Sequence, residues 1–186
     1  MPYPAKTSRE EIVTAALDLL EHRGPAALSM RTLASKLGVN ASSLYHHFSG
    51  KEVLEKALAD EGARLLLERL EAKTQDQGSE EALERTAATY LDFCRERPTL
   101  YDLMMAPRPP VKAEAGAGKD LWNFVLMRVG AVTGREDDTA AAVAFWSFLH
   151  GFISLERSGL FGLSGAQGGL EVGLQALLAG FPSVER

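Results

Sequence analysis

One short, heavily punctuated stretch constrains this chain more than any other: Ser29 to Lys51, S-M-R-T-L-A-S-K-L-G-V-N-A-S-S-L-Y-H-H-F-S-G-K. Ser29 is a good helix N-cap, because its hydroxyl accepts a bond from an otherwise unsatisfied helix-end N–H. Leu33, Ala34 and Leu37 follow as an apolar stripe at helical spacing. Gly38 stands where that helix must stop, since glycine takes the left-handed conformation without a Cβ penalty. Asn40 is a natural cap for a second helix from Ala41 to about His47, with Val39 and Leu44 spaced as a hydrophobic staple. Ser49 and Glu52 have the spacing of a capping box that opens a third helix. These signals agree on two short helices, a tight turn and a further helix, and agreement of that kind outweighs any single cap.

The second helix carries the functional information. At about 100° per residue, Leu44 and Phe48 share one face and Ala41 lies beside them. Ser42 and His46 point nearly opposite, flanked by Ser43 and Tyr45. The outer side is small, polar and aromatic, with no acid on it. Small residues allow close approach to a major groove, hydroxyls reach bases or phosphates, and Tyr and His donate to phosphate oxygens. An ordinary amphipathic pair in a bundle is the plainer reading, but the Gly-Val-Asn turn and the acid-free face favour DNA.

The leading helix followed by L-A-S-K-L-G-V-N-A-S-S-L-Y-H-H-F-S-G-K-E-V-L resembles the tetracycline-repressor (TetR) family of bacterial regulators. The combination L-Y-x-H-F-x-x-K-x-x-L is specific to that family among helix-turn-helix proteins. The match covers about residues 8 to 60. A second tract, W-S-F-L-H-G-F-I-S-L-E from Trp146, resembles the Trp-x-x-x-His-Gly segment in the core of one TetR subgroup. The resemblance implies an all-α chain of about nine helices. Residues 1–50 would form a three-helix DNA-binding domain and residues 51–186 a helical effector-binding and dimerisation domain.

Composition narrows the remaining classes. The only cysteine, Cys94, rules out an internal disulfide and reads as a small buried apolar residue. Met1 to Arg9 does not look like a signal peptide, and no apolar run approaches a membrane span, so a cytoplasmic protein without a membrane partner is expected. Net charge is −5, but residues 1–51 carry +2 and residues 52–186 carry −7. The leading segment is thus the one suited to phosphate. His22, His46, His47 and His150 show no HExxH spacing, and neither CxxC nor a Gly-rich phosphate loop occurs. No enzyme, cofactor or metal site is expected. A helical ligand carrier without DNA binding is the other alternative; Arg31, Tyr45 and Lys51 argue against it.

Along the chain, residues 1–7 read as a short arm and Ser8 to Glu11 as a capping box opening a helix to about His22, ended by Gly24 and Pro25. Further helices are predicted from Ser49 to about Ala72, Ser79 to about Arg95, Thr99 to Met105 and Lys119 to about Val132. Two more run from Asp137 or Asp138 to about Ser158 and through Leu170, Leu174, Leu177 and Leu178. Residues 106–118 form a loop that is long for a compact domain. Phe145 to Phe152 is apolar nearly all round, so its helix must be buried on more than one side.

Residue by residue, the resemblance makes Ser29, Arg31, Ala41, Ser42, Ser43, Tyr45, His46, His47 and Lys51 the DNA-binding candidates. Arg31 suits a guanine edge. Ala41, Ser42 and Ser43 would sit deepest in the groove, Tyr45 and His46 would hold backbone or base edges, and Lys51 a phosphate. His47 lies nearer the buried side and supports the helix. Many members carry a basic residue or glutamine near position 41 or 42; here both are small, which shifts specificity toward water-mediated contacts or DNA shape. The effector pocket is expected from Tyr90, Phe93, Tyr101, Met104, Met105, Trp122, Asn123, Phe124, Met127, Phe145, Trp146 and His150. Taken singly, most of these read as core; as a set they fit a small, largely apolar or aromatic ligand. A homodimer is implied through Phe148, Phe152, Leu155 and Leu160 on the eighth helix and Leu174, Leu177 and Leu178 on the ninth. Its recognition helices would sit roughly 34–36 Å apart on a palindromic operator.

Overall fold

Helix-start and helix-stop signals govern the chain path in the computed structural model, which describes residues 7–107 and 116–181. Ser8 opens α1 (Arg9–Arg23) with a complete capping box. Its hydroxyl accepts from the Glu11 N–H at 3.1 Å, and the Glu11 carboxylate accepts from the Ser8 N–H at 2.8 Å. A 3-10 turn, Pro25–Ala27, follows Gly24. The Ser29 hydroxyl caps α2 (Met30–Leu37) by accepting from the Thr32 N–H at 3.1 Å. Gly38 ends α2 at φ 67°, where a Cβ costs roughly 1–2 kcal/mol.

The next two boundaries differ from the sequence reading. α3 (Ala41–Tyr45) stops two residues early because its end tightens: the His47 N–H donates to the Leu44 carbonyl at 3.0 Å. Asn40 has the extended backbone of an N-cap, but its side chain accepts no capping bond. Gly50, not Ser49, stands before α4 (Lys51–Thr74), its carbonyl accepting from the Leu54 N–H at 3.2 Å. The Ser49/Glu52 box is therefore one residue out of register.

α5 (Ser79–Glu96), α6 (Pro98–Met105), α7 (Ala117–Thr133), α8 (Thr139–Arg157) and α9 (Gly169–Ala179) complete the chain. Asp138 caps α8, its carboxylate accepting from the Ala141 N–H at 3.1 Å. Leu160 falls beyond α8, in a run of tight turns that bends at Gly159, Gly162, Gly165 and Gly168, all with positive φ. Among the described residues there are nine α-helices and no strand, the all-α class expected. Residues 108–115 of the predicted loop and residues 1–6 of the predicted arm lie outside the described residues.

Packing divides the chain into two units, Met1–Leu65 with Glu96–Ala117 and Leu66–Arg95 with Gly118–Arg186. In the first, Ile12, Ala16, Leu20, Leu33, Leu44, Phe48, Leu54, Leu58 and Leu100 are buried. α6 joins this unit by packing on α1, and Arg97 pairs with Glu21 at 3.1 Å. A Cβ at Gly62 would lie 2.7 Å from the Met104 sulfur, so the Met104 side chain of α6 rests directly over that position of α4. The sequence boundary at residue 50 marks the end of the helix-turn-helix; packing carries the first unit on to Leu65 and adds α6.

The second unit buries Leu66, Leu70, Leu83, Tyr90, Leu91, Phe93, Cys94, Val125, Val129, Phe145, Leu149 and Ile153. Arg95 of α5 forms a two-pronged pair with Glu156 of α8 at 2.7 and 2.8 Å. α9 packs on α8 without burying any residue of its own. The contact needs Gly173, since a Cβ there would lie 2.5 Å from the Phe148 ring.

One exclusion from sequence needs correcting. α8 has 19 residues and a mean hydropathy of 1.2 over its best window, long and apolar enough to cross a membrane by length and composition. One-third of that window is buried within the chain. Core contacts account for Phe145, Leu149, Phe152 and Ile153, while Val143 and Leu155 stay exposed.

Two outcomes follow from these environments. Burial pushes the Cys94 thiol up to about 12, so thiol reagents at mildly alkaline pH label the protein only after denaturant is added. The Arg95 guanidinium holds the Glu156 carboxyl below its ordinary range. Stability from this pair is complete above the unfolded value of 4.5 and is lost as pH falls through the lowered folded value. Glu156→Gln therefore lowers stability in neutral denaturant titrations by up to about 1 kcal/mol. In strong acid the two proteins unfold alike.

Candidate nucleic-acid interface

No Asp or Glu occurs from Ser29 to Lys51, whereas Arg31, Lys36 and Lys51 do. Leu33 and Ala34 of α2 and Leu44 of α3 are buried, so the opposite sides of both helices face water. Arg31, Ser42, Tyr45 and His46 are exposed, and Ala41, Ser43 and His47 are half-buried. Tyr45 is 52% exposed, an unusual position for an aromatic ring that serves only packing. The outer face of α3 is thus small at its start and aromatic at its end, with hydroxyls between.

Ser29 and Thr32 are tied at the start of α2, with their hydroxyls 2.8 Å apart. Ser29 therefore caps the helix as well as standing at its outer end. Lys51 sits at the start of α4 with its ammonium 3.4 Å from Glu55, one turn on. That carboxylate is a competitor any phosphate at Lys51 must displace. His47 is half-buried, and its backbone carbonyl accepts from the Arg9 guanidinium at 3.1 Å.

Arg9 is a residue whose role the sequence reading missed. Its guanidinium lies 4.2 Å over the Phe48 ring while bonding the His47 carbonyl. It clamps the end of α3 to the start of α1. Lys36 was missed as well; it bonds Asp18 of α1 at 2.5 Å and fastens α2 from the other side. That hydrogen bond holds the Asp18 carboxyl below its ordinary range. Nothing local in the sequence signals either tie, because each joins residues far apart in the chain.

Two family models match this chain. Residues 12–58 match bacterial regulatory proteins of the tetR family, and residues 83–180 match the tetracyclin repressor-like C-terminal domain. The chain belongs to the TetR family. It is a transcriptional regulator with a helix-turn-helix DNA-binding domain, in a family of regulators and not of enzymes.

The HTH-type transcriptional repressor Rv3405c of Mycobacterium tuberculosis is 33% identical over 138 residues, covering 67% of this chain and 73% of that protein. An uncharacterized HTH-type regulator of the same species, Rv0681, is 29% identical over 161 residues, 84% of this chain and 73% of that protein. A solved protein of unknown function from Rhodococcus sp. RHA1 shares the fold. Its TM-score is 0.79 at 22% identity, over 98% of this chain and 100% of that one.

The expected effector residues are distributed over both units. Tyr101, Met104 and Met105 lie on α6 in the first unit. In the second unit Tyr90, Phe93, Phe124 and Phe145 are buried, with the Tyr90 and Trp146 rings 5.3 Å apart. Trp122, Trp146 and His150 are half-buried. Asn123 and Met127 are exposed and line an open groove of about 470 Å³ on the outer face of α7, with Leu126 and Ala131. Adjacent helical residues diverge by about 100°, and here Phe124 is buried while Asn123 is exposed.

The dimer candidates also divide. Phe152 is buried in its own chain against Phe161, with rings 5.3 Å apart, and Phe148 packs on Gly173. Leu155 and Leu160 are exposed, at 44% and 71%. Leu174, Leu177 and Leu178 are half-buried.

Arg31→Ala and Tyr45→Ala each remove an exposed side chain and leave the core untouched. Each should weaken binding to a preferred duplex by roughly 1–3 kcal/mol in a fluorescence-anisotropy titration, with the helical circular-dichroism spectrum unchanged. Equal affinity of all three proteins for that duplex would exclude both contacts.

Proposed function

We propose that this regulator is a homodimeric repressor that binds a two-fold symmetric operator and is released by a small, largely apolar or aromatic effector. The observation that carries the reading is the outer face of α3, where Ser42, Tyr45 and His46 stand in water within an acid-free stretch. In this reading residues 1–50 bind DNA and residues 51–186 bind the effector and the second subunit. Ser29, Arg31, Ala41, Ser42, Ser43, Tyr45, His46 and Lys51 touch the duplex, and His47 supports α3. The relative named as a repressor supports that direction of control.

Unsatisfied apolar surface supports the dimer. α9 is apolar yet has no buried residue, and Val172 is 68% exposed. Leu155 and Leu160 are exposed nearby in sequence, and Leu163 is wholly exposed. Exposed apolar side chains concentrated in one stretch of the chain favour an interaction site. A second copy would cover it through α8 and α9, with Leu155, Leu160, Leu174, Leu177 and Leu178 at the contact.

Aromatic content supports the effector class. Tyr90, Phe93, Trp122, Phe124, Phe145 and Trp146 all belong to the second unit, which also holds His150, and the Tyr90 and Trp146 rings lie 5.3 Å apart. α4 supplies Leu54 and Leu58 to one unit's core and Leu66 and Leu70 to the other's, so a shift of α4 can carry a signal between functions. The effector moves the equilibrium only by its differential affinity for the DNA-binding and released states.

Selection from a random duplex library at moderate salt tests the operator. A two-fold symmetric site should be enriched, and lost with Arg31→Ala and Tyr45→Ala. Analytical ultracentrifugation tests the assembly: the native chain should sediment as a dimer and the Leu160→Glu, Val172→Glu double variant as a folded monomer. A native monomer, or an enriched site without symmetry, would overturn the dimer.

A further inference from the structure

Leu19 and Arg23 are one turn apart on α1, and Arg31, Thr32, Ser35 and Lys36 recur on one side of α2. Together they line an open groove of about 530 Å³. Its lining holds three cations and two hydroxyls and no carboxylate. Lys36 is committed to Asp18. Arg23 and Arg31 are exposed, and neither has an ion-pair partner among the described residues. The groove shares Arg31 with the DNA-binding surface, so it is continuous with that surface on the α2 side.

We propose that this groove seats a phosphate of the DNA backbone, gripped by Arg23 beside the base pairs that Arg31 reads. The inference rests on the DNA-binding reading above and adds a contact to it. A guanidinium presents a planar fork of donors that matches a phosphate in two-pronged fashion. Such a contact fixes register on the duplex and carries no sequence information. A small-residue α3, with few side chains long enough to read bases, gains its orientation from ties of this type.

The test is the salt dependence of duplex binding for the full chain, measured with the selected duplex and with a scrambled duplex of equal length. Arg23→Gln should weaken both duplexes by a similar factor and lower the slope of log affinity against log salt by about 0.9, the signature of one lost phosphate contact. Ser35→Glu, which places a negative charge in the groove, should lower the slope as well and keeps the test independent of Arg23. Arg85→Gln on α5 removes the same charge and should leave the slope unchanged. Wild-type slopes for both Arg23→Gln and Ser35→Glu would overturn the clamp. If Arg31→Ala still abolished preference for the selected duplex, the DNA-binding reading would stand without it. An equal loss with Arg85→Gln would also overturn it, as an effect of net charge. A native chain that binds neither duplex at low salt would remove the DNA-binding reading and the clamp with it. An Arg23 that serves only the end of α1 would shift the melting temperature and not the slope.

Discussion

A five-residue helix cannot hold itself. Isolated helices shorter than about 12–15 residues are marginal in water, and α3 has a third of that length. Its geometry comes from outside: Leu44 and Phe48 are fully buried, Gly38 turns the chain tightly out of α2, and Arg9 clamps the far end. Because these ties all act through the inner face and the ends, the outer face is released from structural duty. Ala41, Ser42 and Ser43 can then be small and Tyr45 exposed without weakening the fold.

The second unit has the opposite character, with more apolar surface than one chain covers. α8 is apolar on nearly every side, and its core face accounts for only part of that. α9 rests on it through a contact that demands Gly173 under the Phe148 ring, and still leaves Val172 in water. A helix long and apolar enough to cross a membrane by composition here buries one face in its own core and leaves Val143 and Leu155 exposed. Composition alone does not separate a buried face from an exposed one, since hydropathy records how apolar a segment is and not what lies against it.

Much of the first unit was legible because its signals are local. The Ser8 box, the Ser29 cap and the Gly38 stop each act across three or four residues, and all are found where the sequence placed them. The failures cluster where a boundary is set by distant contacts. α3 ends early because its last turn tightens under Phe48, and Gly50 displaces Ser49 at the start of α4. The effector candidates were chosen for side-chain type, and type does not say which face a residue occupies. Asn123 and Met127 were grouped with Phe124, yet helical rotation puts them in water.

The sequence by itself determined the all-α class, nearly every helix boundary, the helix-turn-helix and the acid-free outer face of its second helix. Each depends on backbone hydrogen bonds and side-chain spacing within a turn or two, and those interactions are written in consecutive residues. Only the tertiary structure decided that α6 packs with α1, that Arg9 locks α3, that Phe148 turns inward onto Gly173, and that Arg23 and Arg31 line one groove. These meetings join residues on different helices, most of them tens of positions apart. They follow from how whole helices fill volume against one another, which no local pattern encodes.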